Sequence, residues 1–165
     1  MKNIESLLKS LNKTLPHFDD GRINYKGAST AIVISCFVMK RSDILLLKRS
    51  NNVGTYKGKW GNVAGYVDEI IPLDQKVKKE IMEETGINSM DIVKIVQGME
   101  FESNDILIGK RWLIIPFLAL VSENVKIKLS SEHVKYEWVK PDNIISFDTV
   151  PDFTKSLECV MNIKV

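Results

Sequence analysis

The stretch Gly65–Ile87, with the sequence GYVDEIIPLDQKVKKEIMEETGI, contains a complete helix pattern with a start, an apolar face and a stop. An apolar stripe on one helical face requires a spacing of three or four residues. The residues with this spacing are Leu73, Val77 and Ile81. Pro72 suits the first helical turn, and Gly86 suits the left-handed residue that ends a helix. The sequence therefore predicts a helix between Pro72 and Gly86 with one face packed on a core.

Three glutamates occupy the second half of this predicted helix, at Glu80, Glu83 and Glu84. Residues at i, i+3 and i+4 lie on one side of a helix, so the three carboxylates form one cluster. Glu83 and Glu84 fall in the last turn, where a carboxylate costs roughly 0.3–1 kcal/mol because the helix carbonyls already carry partial negative charge. A divalent cation such as Mg²⁺ or Mn²⁺ would remove this conflict, since hard cations prefer oxygen ligands.

A solvated acidic helix end is the alternative to a metal site. Lys76 and Glu80, and likewise Lys79 and Glu83, are i,i+4 partners, although in the weaker order with lysine first. Exposed ion pairs of this kind are common on protein surfaces. The residues around the helix decide between the two interpretations.

The stretch resembles the Nudix box, the motif of the Nudix hydrolase family, written Gx5Ex7REUxEExGU with U an aliphatic residue. The positions that match are Gly65, Glu80, Ile81, Glu83, Glu84, Gly86 and Ile87. Two positions depart from the motif: Ile71 replaces the first glutamate, and Lys79 replaces the arginine. Lysine keeps the positive charge but lacks the planar fork of a guanidinium, so these departures predict weakened or altered activity.

Two further segments carry the same resemblance, GKWGNVAG at residues 58–65 and SEHVKYEWV at residues 131–139. Together the pieces cover residues 28–145. The resemblance implies an α/β fold, the Nudix-type α/β/α sandwich with a mixed sheet, in a single domain over residues 1–165. In this interpretation residues 1–27 form an N-terminal helix and lead-in, and residues 146–165 contain a C-terminal helix.

The resemblance also implies roles for individual residues. Glu80, Glu83 and Glu84 are the expected metal ligands, for Mg²⁺ or alternatively Mn²⁺. The candidate catalytic residues are Glu83, Glu84 and a loop carboxylate, for which Glu132 is preferred to Glu137 because Glu137 falls in a predicted strand. The candidate substrate-binding residues are Arg49, Lys59, Gly65 and Lys79. For Arg49 and Lys59 an ordinary surface role is an equal alternative.

The implied activity is metal-dependent hydrolysis of a pyrophosphate bond in a nucleoside diphosphate linked to another moiety, or in a related small molecule. A catalytically weak or inactive nucleotide-binding sensor is the alternative, and Ile71 and Lys79 favour it. A relative of isopentenyl diphosphate isomerase would need an active-site cysteine, and Cys36 lies in the middle of an apolar run. The expected partner is therefore a small nucleotide or diphosphate substrate.

Composition limits the other partners. The chain has 44% hydrophobic and 27% charged residues with a net charge of +2, which does not favour nucleic acid or membrane binding. Two cysteines, Cys36 and Cys159, do not indicate a disulfide framework, so a cytoplasmic location is expected. An amphipathic helix over residues 1–14 is expected to pack on the domain or on a partner subunit, which leaves a homodimer open.

The remaining elements follow from alternation and turn residues. Strands are predicted at residues 29–39, 43–48, 91–101, 111–121, 125–129 and 135–139, with a polar turn at 102–110 and a closing helix at 152–163. Pro116 lies inside one of these runs, and proline cannot donate to a sheet ladder. We therefore expect an edge strand or a bulge at Pro116.

Overall fold

The structure is a computed structural model that describes residues 4–163. Three α-helices are α1 Ile4–Thr14, α2 Leu73–Thr85 and α3 Phe153–Met161. Eight strands are β1 Thr30–Lys40, β2 Asp43–Arg49, β3 Trp60–Gly61, β4 Val63–Tyr66, β5 Ile92–Gln97, β6 Phe101–Asp105, β7 Lys110–Val121 and β8 His133–Val139. Short 3₁₀ segments span Ser89–Asp91 and Pro141–Ser146. No helix in residues 4–163 is long and apolar enough to cross a membrane.

One mixed sheet holds the strands in the order β3-β2-β1-β7-β5, with β4 beside β1, β6 beside β7 and β8 beside β2. β1 and β7 are parallel over ten paired residues, from Thr30↔Arg111 to Met39↔Leu120, and the other pairs are antiparallel. β4 contacts α2, so the helix that carries the motif meets the sheet at β4.

The two faces of the sheet carry separate cores. Alternate residues of β1, such as Ile32 and Ile34, belong to the cluster that includes Val77 and Ile81 of α2. The opposite face carries Phe37 in a second cluster, with the apolar side of α3. The predicted α/β/α sandwich is therefore confirmed.

The helix predicted from the motif is α2. Gly86 ends it in the left-handed conformation with φ of 72°, and its N–H donates to the Met82 carbonyl at 2.9 Å. Val77 and Ile81 are fully buried, as their spacing predicts. The helix predicted for residues 1–14 is observed as α1, and its first three residues lie outside the described part.

Two strand predictions are wrong. The run at residues 91–101 is broken near Gly98, where an added Cβ would lie 2.7 Å from the Cys159 carbonyl of α3, and the expected turn after it contains β6. Residues 125–129 form no strand. Their backbone instead binds the C-terminal end of α2, where the Lys128 N–H donates to the Thr85 carbonyl at 2.8 Å.

Pro116 lies in β7, which is inside the sheet, so the expected edge strand is wrong. The alternative, a bulge, is observed, because the three residues 98–100 lie opposite only Ile115 and Pro116. The Pro116 carbonyl accepts a hydrogen bond from the Gly98 N–H at 2.8 Å. On that side the partner of β7 changes from β6, at Phe101↔Ile114, to β5, at Gln97↔Phe117. The missing proline N–H therefore falls where one partner strand has ended and the next has not begun.

Candidate active site

A cleft of about 490 Å³ opens on the sheet beside β4. Its walls come from β1, β4 and β7, from the loop at residues 52–56, and from the start of α3. Five of the residues predicted for the site line this cleft: Glu80, Glu83, Gly65, Arg49 and Glu132. Residues far apart in the sequence are thus gathered at one concave surface.

Glu80 is held between the backbone of β4 and a buried lysine. A Cβ added to Gly65 would lie 2.3 Å from the Glu80 Cδ, so only glycine leaves room for this carboxylate. The Lys76 Nζ contacts the Glu80 Oε1 and the Asp68 Oδ1, each at 2.7 Å. Burial raises the pKa of Glu80, and the nearby Lys76 ammonium opposes that rise. Burial also opposes charge on Lys76, but its two carboxylate partners raise its pKa.

Glu83 and Glu132 reach the cleft from different elements. Glu83 is exposed in the last turn of α2, and Glu132 is exposed in the loop before β8. Neither side chain forms an ion pair within residues 4–163. Glu137 lies in β8, pairs with Lys135 at 2.6 Å and does not line the cleft. The preferred loop carboxylate is therefore the one that faces the cleft.

Glu84 is turned away from the cleft, unlike its two neighbours in the motif. Its Oε1 accepts a hydrogen bond from the Ala64 N–H at 3.0 Å, and its Oε2 lies 2.6 Å from the His133 Nε2. The side chains of Glu84 and His133 are 6% and 1% exposed. Burial raises the pKa of Glu84 well above its usual value and lowers the pKa of His133 to about 4. Burial therefore disfavours the charged form of both groups in this pair.

This buried pair predicts how stability depends on pH. Because the pKa of Glu84 is raised in the folded state, Glu84 stabilises the fold below its usual pKa of 4.5, and this stabilisation is lost as pH rises. Because the pKa of His133 is lowered, His133 stabilises the fold above its usual pKa of 6.5, and this stabilisation is lost as pH falls to about 4. The two contributions change in opposite directions as pH rises, and the contribution from Glu84 is lost once pH has passed its raised pKa. Glu84→Gln should abolish that loss and leave the protein more stable than the unmodified chain at about pH 9.

Thermal unfolding in a chelator, compared at about pH 6 and about pH 9, measures this effect. Glu137→Gln is the matched control, because it removes an exposed carboxylate from the strand that begins at His133, and it should follow the unmodified chain. A Glu84→Gln protein that is less stable at both pH values would show that the ionised Glu84 is needed by the fold.

Lys79, one of the two departures from the motif, is paired with an acid outside the motif's register. The Lys79 Nζ pairs with the Glu69 Oε1 at 2.5 Å, so Glu69 supplies the partner that Ile71 cannot. Lys79 does not line the cleft, and neither does Lys59, which pairs with Asp148 at 2.6 Å. These two lysines were predicted as substrate contacts, and the structure places them in ion pairs outside the cleft.

Arg49 does line the cleft, at the end of β2. Its Nε donates to the Thr55 carbonyl at 3.1 Å, which fixes the guanidinium beside the 52–56 loop. Its positive charge adds to burial in lowering the pKa of His133. The guanidinium is thus the cation best placed among the predicted substrate contacts to meet a phosphate.

Aromatic rings that were not predicted as site residues form the floor of the cleft. The Tyr66 ring stacks on Tyr25 with centroids 5.1 Å apart and lies 6.1 Å from Trp112. Tyr66 and Trp112 line the cleft, whereas Cys36 is fully buried in β1. Tyr66 lies within the motif stretch, but residue spacing alone does not show that its ring faces a site. Only the strand register, which places β4 and β7 on either side of β1, shows that it meets Trp112.

A second unpredicted group adds the polar residues Tyr56, Ser103 and Asp152 to the lining of the cleft. The Tyr56 hydroxyl donates to the Asp105 Oδ2 at 2.7 Å, and the Ser103 hydroxyl donates to the Asp152 carboxylate. Tyr56 and Asp152 both have left-handed backbones, with φ of 52° and 59°. Their turn positions carry no sequence signal for a site, so only the structure shows that they line the cleft.

The carboxylates suit a divalent cation in chemical type, since hard cations prefer oxygen ligands. Burial and the nearby charge of Glu83 both raise the pKa of Glu80, and a bound cation would oppose that rise. Within residues 4–163, however, no three His, Cys, Asp or Glu side chains are already arranged around one metal position. The donor oxygens therefore fit in kind, and their assignment as ligands remains a proposal.

Comparison with known proteins gives one family match and several relatives. A family model for the NUDIX domain matches residues 29–158. The nucleoside triphosphatase NudI of Escherichia coli O139:H28 is 25% identical over 109 residues, which cover 63% of this chain and 77% of that protein. The chain is therefore similar to this relative over most of the length of both.

Solved structures give the same likeness. The MutT protein from Methanosarcina mazei Go1 is 29% identical with a TM-score of 0.61, over 78% of this chain and 91% of that one. A bifunctional NMN adenylyltransferase/ADP ribose pyrophosphatase from Francisella tularensis, complexed with AMP and a Mn ion, is 17% identical with a TM-score of 0.62. That match covers 94% of this chain and 45% of that one. At this lower identity the likeness is one of fold.

Proposed function

Because the chain belongs to the NUDIX domain family, we propose that it hydrolyses a pyrophosphate bond in a nucleoside diphosphate linked to another group, with a divalent cation. The family generally acts on nucleoside diphosphate derivatives. The observation that carries the proposal is the meeting of Glu80, Glu83 and Glu132 with Arg49 at one cleft with an aromatic floor. A diphosphate needs both its charge neutralised and its attached groups held, and this cleft offers groups for each.

Glu83 and Glu132, together with the Glu80 Oε2, are the oxygens proposed to hold the cation, for which Mg²⁺ or Mn²⁺ is suited. Such a cation, when bound, shields the phosphate charge and lowers the pKa of a coordinated water. The Francisella relative is complexed with a Mn ion, which supports the choice of metal by analogy. Glu84 supports this set from beneath, through the Ala64 N–H and His133.

Arg49 and Arg22 are the cationic side chains that line the cleft. A guanidinium binds two phosphate oxygens at once, so either residue can orient the diphosphate. Arg22 is already paired with Asp20 at 2.8 Å, whereas Arg49 is held only by the Thr55 carbonyl within the described chain. We therefore assign the principal phosphate contact to Arg49.

The proton of the attacking water must pass to a base that reaches the cleft. Glu83 and Glu132 are exposed there, whereas the carboxylate of Glu84 is buried and hydrogen-bonded. We propose that Glu83 or Glu132 accepts this proton as the water oxygen bonds to phosphorus and the bridging oxygen leaves with the other phosphate. The aromatic floor of Tyr66 and Trp112 provides a stacking surface for a nucleobase.

The test is a screen of the purified protein with Mg²⁺ or Mn²⁺. Substrates are ADP-ribose, dinucleoside polyphosphates, NADH, nucleotide sugars and nucleoside triphosphates. We expect a nucleoside monophosphate and a second phosphorylated product from one of the linked diphosphates, with turnover abolished by a chelator. Hydrolysis of nucleoside triphosphates instead would indicate the activity named for the Escherichia coli relative.

A nucleotide-binding protein without turnover is the second candidate function. The turned carboxylate of Glu84 and the Lys76 contact on Glu80 favour it, because both reduce the carboxylate charge free to bind a cation. Calorimetric binding of the same compounds distinguishes the two functions. Tight nucleotide binding with no product in either metal would favour the binding protein over the hydrolase.

A further inference from the structure

Lys76 places a buried cation directly behind the candidate metal ligands. Its side chain is only 2% exposed, and its Nζ lies 2.7 Å from both the Glu80 Oε1 and the Asp68 Oδ1. Glu80 and Asp68 line the cleft, but Lys76 does not. The ammonium therefore reaches a substrate only through the carboxylates that it contacts, which makes Lys76 a positioning residue.

The contacts of Glu80 leave little freedom for its carboxylate. On one side the backbone at Gly65 is so close that an added Cβ would lie 2.5 Å from the Oε1 and 2.6 Å from the Oε2. On another side the Lys76 ammonium occupies the Oε1. A divalent cation that used both oxygens of Glu80 would have to lie next to this ammonium, and like charges at such a distance repel strongly in a partly buried site.

We propose that Lys76 is a built-in counter-ion that takes the place of a divalent cation at the Oε1 of Glu80. It limits Glu80 to one ligating oxygen, so the cleft binds divalent cations more weakly, or in smaller number, than its carboxylates alone would. The inference rests on the proposed function to the extent that the cleft takes a divalent cation. Metal binding without substrate is therefore the measurement that separates the two.

The experiment is a Mn²⁺ titration of metal-free protein, followed by electron paramagnetic resonance of the unbound ion. Lys76→Gln keeps a hydrogen-bond donor beside Glu80 and removes the charge. We expect this variant to bind Mn²⁺ at least about tenfold more tightly than the unmodified protein, or to take up an additional ion. Lys76→Arg retains the charge and should restore the unmodified affinity.

The matched control is Lys78→Gln, which removes one positive charge from the same helix. Lys78 is 40% exposed and pairs with Asp74 outside the cleft, so its removal should change the Mn²⁺ affinity by less than about threefold. The double variant Lys76→Met with Asp68→Asn addresses folding and net charge together. It removes one charge of each sign and does not leave an ionised Asp68 with only its 3.4 Å contact to Arg22. It still frees the Glu80 Oε1, so tighter Mn²⁺ binding is again expected.

Circular dichroism and thermal unfolding establish that each variant is folded, and the double variant replaces Lys76→Gln if that protein does not fold. Unchanged or weaker Mn²⁺ binding in the folded variants, with normal binding by the unmodified protein, would overturn the inference and leave the proposed function standing. Mn²⁺ binding by neither protein would overturn both. Equal tightening in Lys78→Gln would also overturn it, because the effect would then be one of general charge.

Discussion

Replacing Glu83 with glutamine is expected to lower turnover at least about a hundredfold while leaving the protein folded. Glu83 is exposed at the cleft and has no ion pair in the described chain, so its charge contributes little to the fold. A carboxylate in the last turn of a helix is unfavourable by roughly 0.3–1 kcal/mol, and glutamine removes that cost. Loss of one preorganised charge at a reacting phosphate typically reduces the rate by two to three orders of magnitude. Steady-state kinetics and thermal unfolding measure the two effects.

Glu158→Gln is the matched control for this variant. Glu158 is an exposed glutamate in the C-terminal half of α3, outside the cleft, and its replacement should leave turnover within about twofold. A Glu83→Gln protein with full activity would exclude Glu83 as a ligand or base. A large loss of thermal stability would instead assign Glu83 a structural role.

The sequence predicted the scaffold of the site because the signals there are local. The spacing of Val77 and Ile81 fixes the buried face of α2, and Gly86 fixes its end, as the left-handed cap confirms. The direction of each carboxylate is not a local property. Glu84 is turned from the cleft by partners 20 and 49 residues away in the chain, Ala64 and His133.

The departures from the motif illustrate the same limit. Ile71 and Lys79 are read one position at a time in the sequence, and each predicts a weakened site. In the structure, Glu69 pairs with Lys79 from two residues before Ile71. Compensation of this kind depends on the path of the loop between β4 and α2, which residue spacing does not specify. The error at residues 125–129 has the same origin, since their backbone binds the end of α2.

Gly65→Ala is expected to lower turnover at least about a hundredfold, because the added methyl group displaces the carboxylate of Glu80. The new Cβ would lie 2.3 Å from the Glu80 Cδ, which no real contact allows, so one of them must shift. The Glu80 carboxylate is the end of a flexible side chain and shifts more easily than the paired backbone of β4. Its displacement breaks the contact with Lys76 and leaves that ammonium with Asp68 alone. The free energy of unfolding should therefore fall by about 1–3 kcal/mol.

Gly61→Ala provides the control for this variant, because it adds the same methyl group nearby. Its Cβ would meet the Val150 Cγ1 at 3.6 Å, an ordinary contact, and Gly61 does not line the cleft. Turnover should then be unchanged and stability within about 0.5 kcal/mol. Kinetics combined with denaturant unfolding separate the outcomes. Full activity in Gly65→Ala would show that turnover does not need Glu80 in the position where Lys76 holds it. Lower turnover in both variants would instead show that an added methyl group disturbs the strands, independently of Glu80.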